Sequence, residues 1–286
     1  MSVKRSTCPA CSKPDRVCFC SRIRIPRIDL KTRITILQHR LELKHPLNTA
    51  RIAALGFKNV AVHTVSDVSS KVDLSIQFSD TGLKDKVNAD IRDVTTATIG
   101  KYGEIISLQS DWFPPNCIPN SSTFDDILSS TEACEALAKG FVVVKRENDN
   151  SSGEEFRIWV PSGTVVLFPS DRAVEAEDLK AMNVEINNLI VLDGTWAKAK
   201  RIYKENPWLD LLPHLRLNVK QESLYGEVRS QPKAGCLSTI ESIVFALHAI
   251  GDGNEGLNEL LGVFESMVND QRLCKYERLK GDNSSF

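Results

Sequence analysis

Two continuously apolar runs, Thr164-Val165-Val166-Leu167-Phe168 and Leu189-Ile190-Val191-Leu192, constrain this chain more than any other feature. Each has the length of a strand, and neither alternates with polar residues, so both faces of each are expected to be covered. Asp171 to Met182, between them, reads as a helix. Buried strand, helix, buried strand is the pattern of an α/β protein with a mostly parallel sheet flanked by helices. Ligands in such sheets sit beyond the carboxyl ends of the strands. That makes Pro169-Ser170 and Asp193-Gly194-Thr195-Trp196 the places to look for a site.

The remaining segments fill in around that unit. Ile34 to Leu37 reads as a first strand running into a polar loop, and Asn48 or Thr49 as the cap of a short helix that stops near Gly56. From 63 to 103 the pattern weakens and reads as an elaboration. Ile105 to Leu108 suits a strand, Trp112 to Pro115 a loop, 131–140 a helix, Phe141 to Val144 a strand and Asn148 to Glu155 a solvated turn. Leu237 to Ile250 and Gly256 to Tyr276 carry helical periodicity.

Four cysteines crowd one end as Cys8-x2-Cys11-x6-Cys18-x-Cys20. Four thiolates in one loop suffice for a closed, structural tetrahedral zinc site, with free or redox thiols as the other reading. Cys117, Cys134, Cys236 and Cys274 lack such spacing and read as buried small hydrophobes. Residues 1–27 are expected to form a knuckle and 28–286 the main domain. Residues 1–60 hold thirteen Lys/Arg against three Asp/Glu, whereas the remainder is acidic overall. Such asymmetry fits a nucleic-acid-facing end or a plain solvated surface. No run approaches the roughly 18 apolar residues of a membrane span, and the basic, Cys-rich start is not a secretory signal. The expectation is a soluble intracellular protein, in cytoplasm or nucleus, with no membrane partner.

At the strand-to-helix junction Asp193-Gly194-Thr195-Trp196, Thr195 can cap the following helix and Gly194 can let a ligand approach the backbone. Asp193 is either part of that cap or a functional carboxylate, and Trp196 either a core anchor or a stacking surface. Lys198, Lys200, Arg201 and Lys204 give the helix a basic outer face suited to RNA backbone, while Trp196, Ala199, Ile202 and Tyr203 can face inward. Ser238, Thr239 and Glu241 open a later helix as a cap, or as a set of N–H groups for a ligand carboxylate. Gln38, His39, His45 and Asn48 surround a strand end, where a histidine reads more as a surface residue than as an acid or base.

Together these segments resemble the DTW-domain family, named for the Asp-x-Thr-Trp motif seen here at Asp193, Thr195 and Trp196. The resemblance extends to the cysteine knuckle, Gln38-His39-x5-His45-Pro46-x-Asn48-Thr49, Leu167-Phe168-Pro169-Ser170, Asn206-Pro207-x-Leu209 with Leu212-Pro213, and Leu237-Ser238-Thr239-x-Glu241. Arg40-Leu41-Glu42 departs from the family pattern, so no role is carried over to His39 or Glu42. The resemblance implies a SPOUT-like fold with a C-terminal knot and a transfer of the 3-amino-3-carboxypropyl group from S-adenosylmethionine to N3 of a tRNA uridine. It implies Asp193 as general base, with Thr195 and Trp196 shaping the pocket. Leu167, Phe168, Pro169, Ser170, Leu192, Gly194, Leu237, Ser238 and Thr239 would hold the cofactor, and Cys8, Cys11, Cys18 and Cys20 structural Zn2+. The knuckle and the arginines after it would grip RNA. A SPOUT-type RNA methyltransferase and a non-catalytic zinc-knuckle RNA-binding protein are the rival expectations, and ribosomal RNA is a second substrate class to weigh.

Overall fold

In the computed structural model of the chain, the residues described are 6–79, 91–113, 123–147, 153–218, 223–227 and 236–283. Pro114, Pro115, Cys117 and residues 148–152 lie outside them. Five strands form an entirely parallel sheet: β1 (Arg33–His39), β2 (Val60–Val65), β8 (Thr164–Leu167), β9 (Asn188–Asp193) and β10 (His214–Leu215), in the order β10-β8-β9-β1-β2. β1 follows the expected run and extends it by a residue or two at each end.

Both faces of this sheet are covered, as its unbroken apolar strands require. On one face Ile34, Ile36, Val165, Leu189 and Val191 join a buried cluster with α1 (Ala50–Gly56), α6 (Thr239–Ile250) and α7 (Gly256–Asn283). On the other, Leu37, Val166 and Ile190 meet Ile202 of α5 (Trp196–Lys204), the single turn holding Trp208 and Leu209, and a second sheet. Each fully buried aliphatic side chain in these layers contributes about 1.5–3 kcal/mol relative to exposure.

That second sheet adds to the expected parallel, helix-flanked one. It is antiparallel, ordered β5-β4-β3-β6-β7, from β3 (Lys71–Ser79), β4 (Ile91–Gly100), β5 (Ile105–Ser110), β6 (Gly140–Glu147) and β7 (Glu154–Pro161). Residues 63–103, read as an elaboration, thus supply β3, β4 and the end of β2. Glu154 and Glu155 lie in β7 and not in a turn. α2 (Phe124–Ile127) and α3 (Thr131–Lys139) flank this half.

Three helix boundaries moved. α4 spans only Ala176–Ala181 of the helix expected from Asp171 to Met182. The reason is the adjacent edge strand: Val174 donates to the carbonyl of His214 and accepts from Arg216, which holds 173–175 extended beside β10. α6 starts at Thr239, two residues late, because Ser238 is its cap, and α7 continues past Tyr276 to Asn283. No helix among the described residues is long and apolar enough to cross a membrane.

A candidate active site beyond the strand ends and a cysteine cluster

The site is built where β1 and β9 end side by side. Their parallel register sets Gln38 opposite Asp193, and both side chains are buried, at 3% and 5% exposure. The Gln38 amide donates to Asp193 Oδ2 at 2.6 Å and to Asn48 Oδ1 at 3.3 Å. Asn48 in turn donates to the Glu42 carbonyl at 2.9 Å. The hydroxyl of Thr239, first residue of α6, donates to Asp193 Oδ1. Both carboxylate oxygens are therefore oriented by hydrogen bonds, from Gln38 and Thr239.

Gly194 and Thr195 turn the chain from β9 into α5. A Cβ on Gly194 would stand 3.0 Å from Lys198 Cβ and 3.5 Å from His39 Cβ, so strand and helix pass closely there with little room for a side chain. Thr195 caps α5 by accepting from the Lys198 amide at 3.3 Å. Ser238 caps α6 in a reciprocal box with Glu241, whose carboxylate also accepts from Ser223 Oγ at 2.6 Å.

β8 ends beside β9 and delivers Phe168 to the same region. Phe168 stacks on Tyr203 at 4.3 Å between centroids and on Trp196 at 5.9 Å, with Lys200 Nζ 5.4 Å from the Trp196 ring centre. Trp196 is half-buried in this column, Leu192 and Leu237 are half-buried nearby in sequence to Asp193 and Ser238, and Pro169 is exposed. Behind the column, burial and a hydrogen bond to Asp210 push the Tyr203 phenol well above its ordinary range. Burial likewise raises the Asp210 carboxyl, though Tyr203 and Arg172 pull it the other way. His214 lies edge-on to Tyr203, and burial, with Arg172 nearby, lowers it to about 4.

The structure thus brings the three expected loops together but redraws two of their surroundings. α5 does not present four free cations: Lys198 pairs with buried Glu42 at 3.4 Å, and Arg201 with Asp67 at 3.1 Å and Glu205 at 2.8 Å, leaving Lys200 and Lys204 exposed. His39 is not a surface residue. It is 2% exposed, its Nε2 lies 3.0 Å from Asp67, and its Nδ1 accepts from the Leu41 amide. No sequence spacing links Gln38 to Asp193, or Asp67 to His39, because each pair meets only through strand order. The polar Gln38-His39 pair at the end of an apolar run was the signal available.

At the other end of the chain, the thiols of Cys8, Cys11, Cys18 and Cys20 all lie within 4.8 Å of one another. Cys8 and Cys20 are 3.7 Å apart and Cys11 and Cys18 3.6 Å. A tetrahedral site with Zn–S bonds of about 2.3 Å has sulfur–sulfur edges of about 3.8 Å, so the donor set fits one such ion. The amides of Cys11 and Ala10 hold the Cys8 thiol down at about 6, whereas burial and the neighbouring thiols push Cys18 and Cys20 up. Cys134 is exposed and Cys236 and Cys274 half-buried, so these three are not the buried hydrophobes expected. Cys134 sits on the outer side of α3, against the Leu128 carbonyl.

Arg22 donates to Ser266 and pairs with Asp270 at 2.8 Å, and Arg16 contacts Cys274 and Glu277, so the knuckle leans on α7. Arg24 and Arg27 are exposed.

Fold and site together define an α/β protein with a buried, doubly held carboxylate at the mouth of a parallel sheet and a four-cysteine metal-type cluster. The chain belongs to the DTW domain family, whose model matches residues 5–87 and 122–272. It is 23% identical over 274 residues, 96% of this chain and 76% of the relative, to tRNA-uridine aminocarboxypropyltransferase 2 of Drosophila melanogaster. Against the protein of the same name from Mus musculus it is 34% identical over 94 residues, 32% of this chain and 31% of the relative. Against tRNA-uridine aminocarboxypropyltransferase A of Arabidopsis thaliana it is 31% identical over 133 residues, 38% of this chain and 50% of the relative. No solved structure matches the chain.

Proposed function

We propose that this protein is a tRNA-uridine aminocarboxypropyltransferase using S-adenosylmethionine as donor, with residues 1–27 as a zinc knuckle and 28–286 as the catalytic domain. The observation that carries the proposal is the Asp193 carboxylate, buried at a strand end and held by Gln38 and Thr239. The names of the relatives support the same transfer. The threaded C-terminal knot of a SPOUT-like fold belongs to this reading.

Uridine N3 carries a proton and is a poor nucleophile until that proton is removed. Asp193 takes it, and the freed N3 electron pair forms a bond to the aminocarboxypropyl carbon attached to the sulfonium. The carbon–sulfur bond breaks with its electrons going to sulfur, so methylthioadenosine leaves. A sulfonium has three activated carbons, and the group placed in line with N3, about 3–3.5 Å away, is the one transferred. In this reading Thr195 and Trp196 shape the uridine pocket. Leu167 to Ser170, Leu192, Gly194 and Leu237 to Thr239 wall the donor. The exposed Lys200 and Lys204 lie along the path of the RNA backbone. An unstacked loop uridine is the natural target.

The test is mass spectrometry of nucleosides after purified protein is incubated with S-adenosylmethionine and tRNA. A uridine gaining an aminocarboxypropyl group is expected. A methyl gain would make the protein a methyltransferase, and an unchanged nucleoside pool with intact tRNA binding would make it a binding protein. Ribosomal RNA in a parallel reaction separates the two substrate classes.

A further inference from the structure

The cysteine knuckle and the candidate catalytic carboxylate are far apart in sequence but joined by side-chain hydrogen bonds. Arg51, on α1, donates through one guanidinium nitrogen to the Cys11 carbonyl at 2.5 Å and through the other to the Leu43 carbonyl. Leu43 belongs to the loop after β1, whose preceding residue, Glu42, offers its carbonyl to Asn48. Asn48 accepts from Gln38, and Gln38 donates to Asp193. The path from a cluster cysteine to Asp193 thus runs Cys11, Arg51, Leu43, Glu42, Asn48, Gln38, with the loop backbone as its middle section.

The surroundings suit a structural coupling more than an RNA grip. Lys13 is buried at 5% exposure and Arg22 is held by Asp270, so these two knuckle cations point into the protein, while Arg16 pairs with Glu277 at the surface. Cys11 is fully buried in the same cluster as α1 and α7. A planar guanidinium that reaches two carbonyls at once fixes their separation in a way that a single-point donor cannot.

We infer that Arg51 is a positioning residue, through which the metal-type knuckle holds the 40–48 loop and so the Gln38 amide against Asp193. The inference rests on the catalytic reading of Asp193 for its effect on turnover, but not for its effect on the loop.

The experiment compares the full-length zinc-containing protein with R51L and R51K by hydrogen–deuterium exchange, zinc content, tRNA affinity and steady-state kinetics. In R51L the amides of residues 40–48 are expected to exchange at least about tenfold faster, with zinc content kept and tRNA Kd within about twofold of wild type. Its kcat is expected to fall about tenfold to a hundredfold, the range that a small displacement of a reacting group produces. R51K, which reaches one carbonyl at a time, should fall between. Should R51L lose its zinc and unfold, wild-type protein stripped by a chelator supplies the second measurement, and deprotection of 40–48 along with 6–27 is expected. Unchanged protection of 40–48 in R51L and in the stripped protein overturns the proposal. A loss of tRNA affinity with kcat kept overturns it also, in favour of an RNA-gripping knuckle. If wild-type protein transfers nothing to tRNA, the proposed function fails, while the exchange data still decide the coupling.

Discussion

Thr239 Oγ1 donates to Asp193 Oδ1, joining the first residue of one helix to the last residue of the strand at the centre of the parallel sheet. With Gln38 on the other oxygen, the carboxylate has no rotational freedom left that does not break a hydrogen bond. A base that must meet a proton in one direction benefits from that restraint.

Replacing Asp193 by Asn keeps the shape and removes the base. We expect kcat for tRNA modification to drop about 10²–10⁴-fold, with tRNA affinity and circular dichroism unchanged. Turnover within a few-fold of wild type would remove Asp193 from the chemistry.

His214 predicts an acid sensitivity with a defined window. Its folded-state value is about 4, below the ordinary 6.5, so between these values the unfolded chain binds the extra proton. Stability from this group is complete above about 6.5, falls as pH drops toward 4, and is level below that. The full span amounts to at most about 3 kcal/mol. Urea midpoints measured from pH 4 to 7 should rise more steeply in wild type than in H214Q. Parallel curves would place the sensitivity elsewhere.

Gly103 tests how the second sheet supports the site. It has φ of +86°, and a Cβ there would lie 2.1 Å from the Lys204 carbonyl at the end of α5. Beside it, the Tyr102 amide donates to Glu205 at 3.1 Å, which also binds Arg201 and the Val68 amide. G103A should cost about 2 kcal/mol or more, seen as a lower thermal midpoint. A midpoint equal to wild type would mean the β4–β5 tip does not hold α5.

The cysteine cluster predicts one zinc per chain by metal analysis. C11S opens the site and exposes Phe19 and the adjoining core, so metal content should fall and the melting temperature drop by roughly 5–10 °C. Full metal content in C11S would exclude Cys11 from the ligand set.

What could be read from sequence follows from how local each feature is. β8 and β9 were legible because a strand covered on both faces writes its burial into every residue. The DTW junction was legible because cap, glycine and aromatic sit within four positions. β3 was missed although Val72, Leu74, Ile76 and Phe78 alternate with Asp73, Ser75 and Gln77. Those three polar residues between the apolar ones resembled a loop. The start of α4 was misjudged because the edge of a sheet, which no local pattern announces, takes Val174 as an extended neighbour. His39 was misjudged for the same reason, since its partner Asp67 arrives from beyond β2.

The alignment of β1 with β9 fixes more than a hydrogen bond. Parallel neighbours present the same side of the sheet at matched positions, so adding or deleting one residue between Arg33 and Gln38 would turn a leucine or a histidine toward Asp193 in place of the amide. A single-residue length change in β1 would therefore silence the carboxylate without touching it.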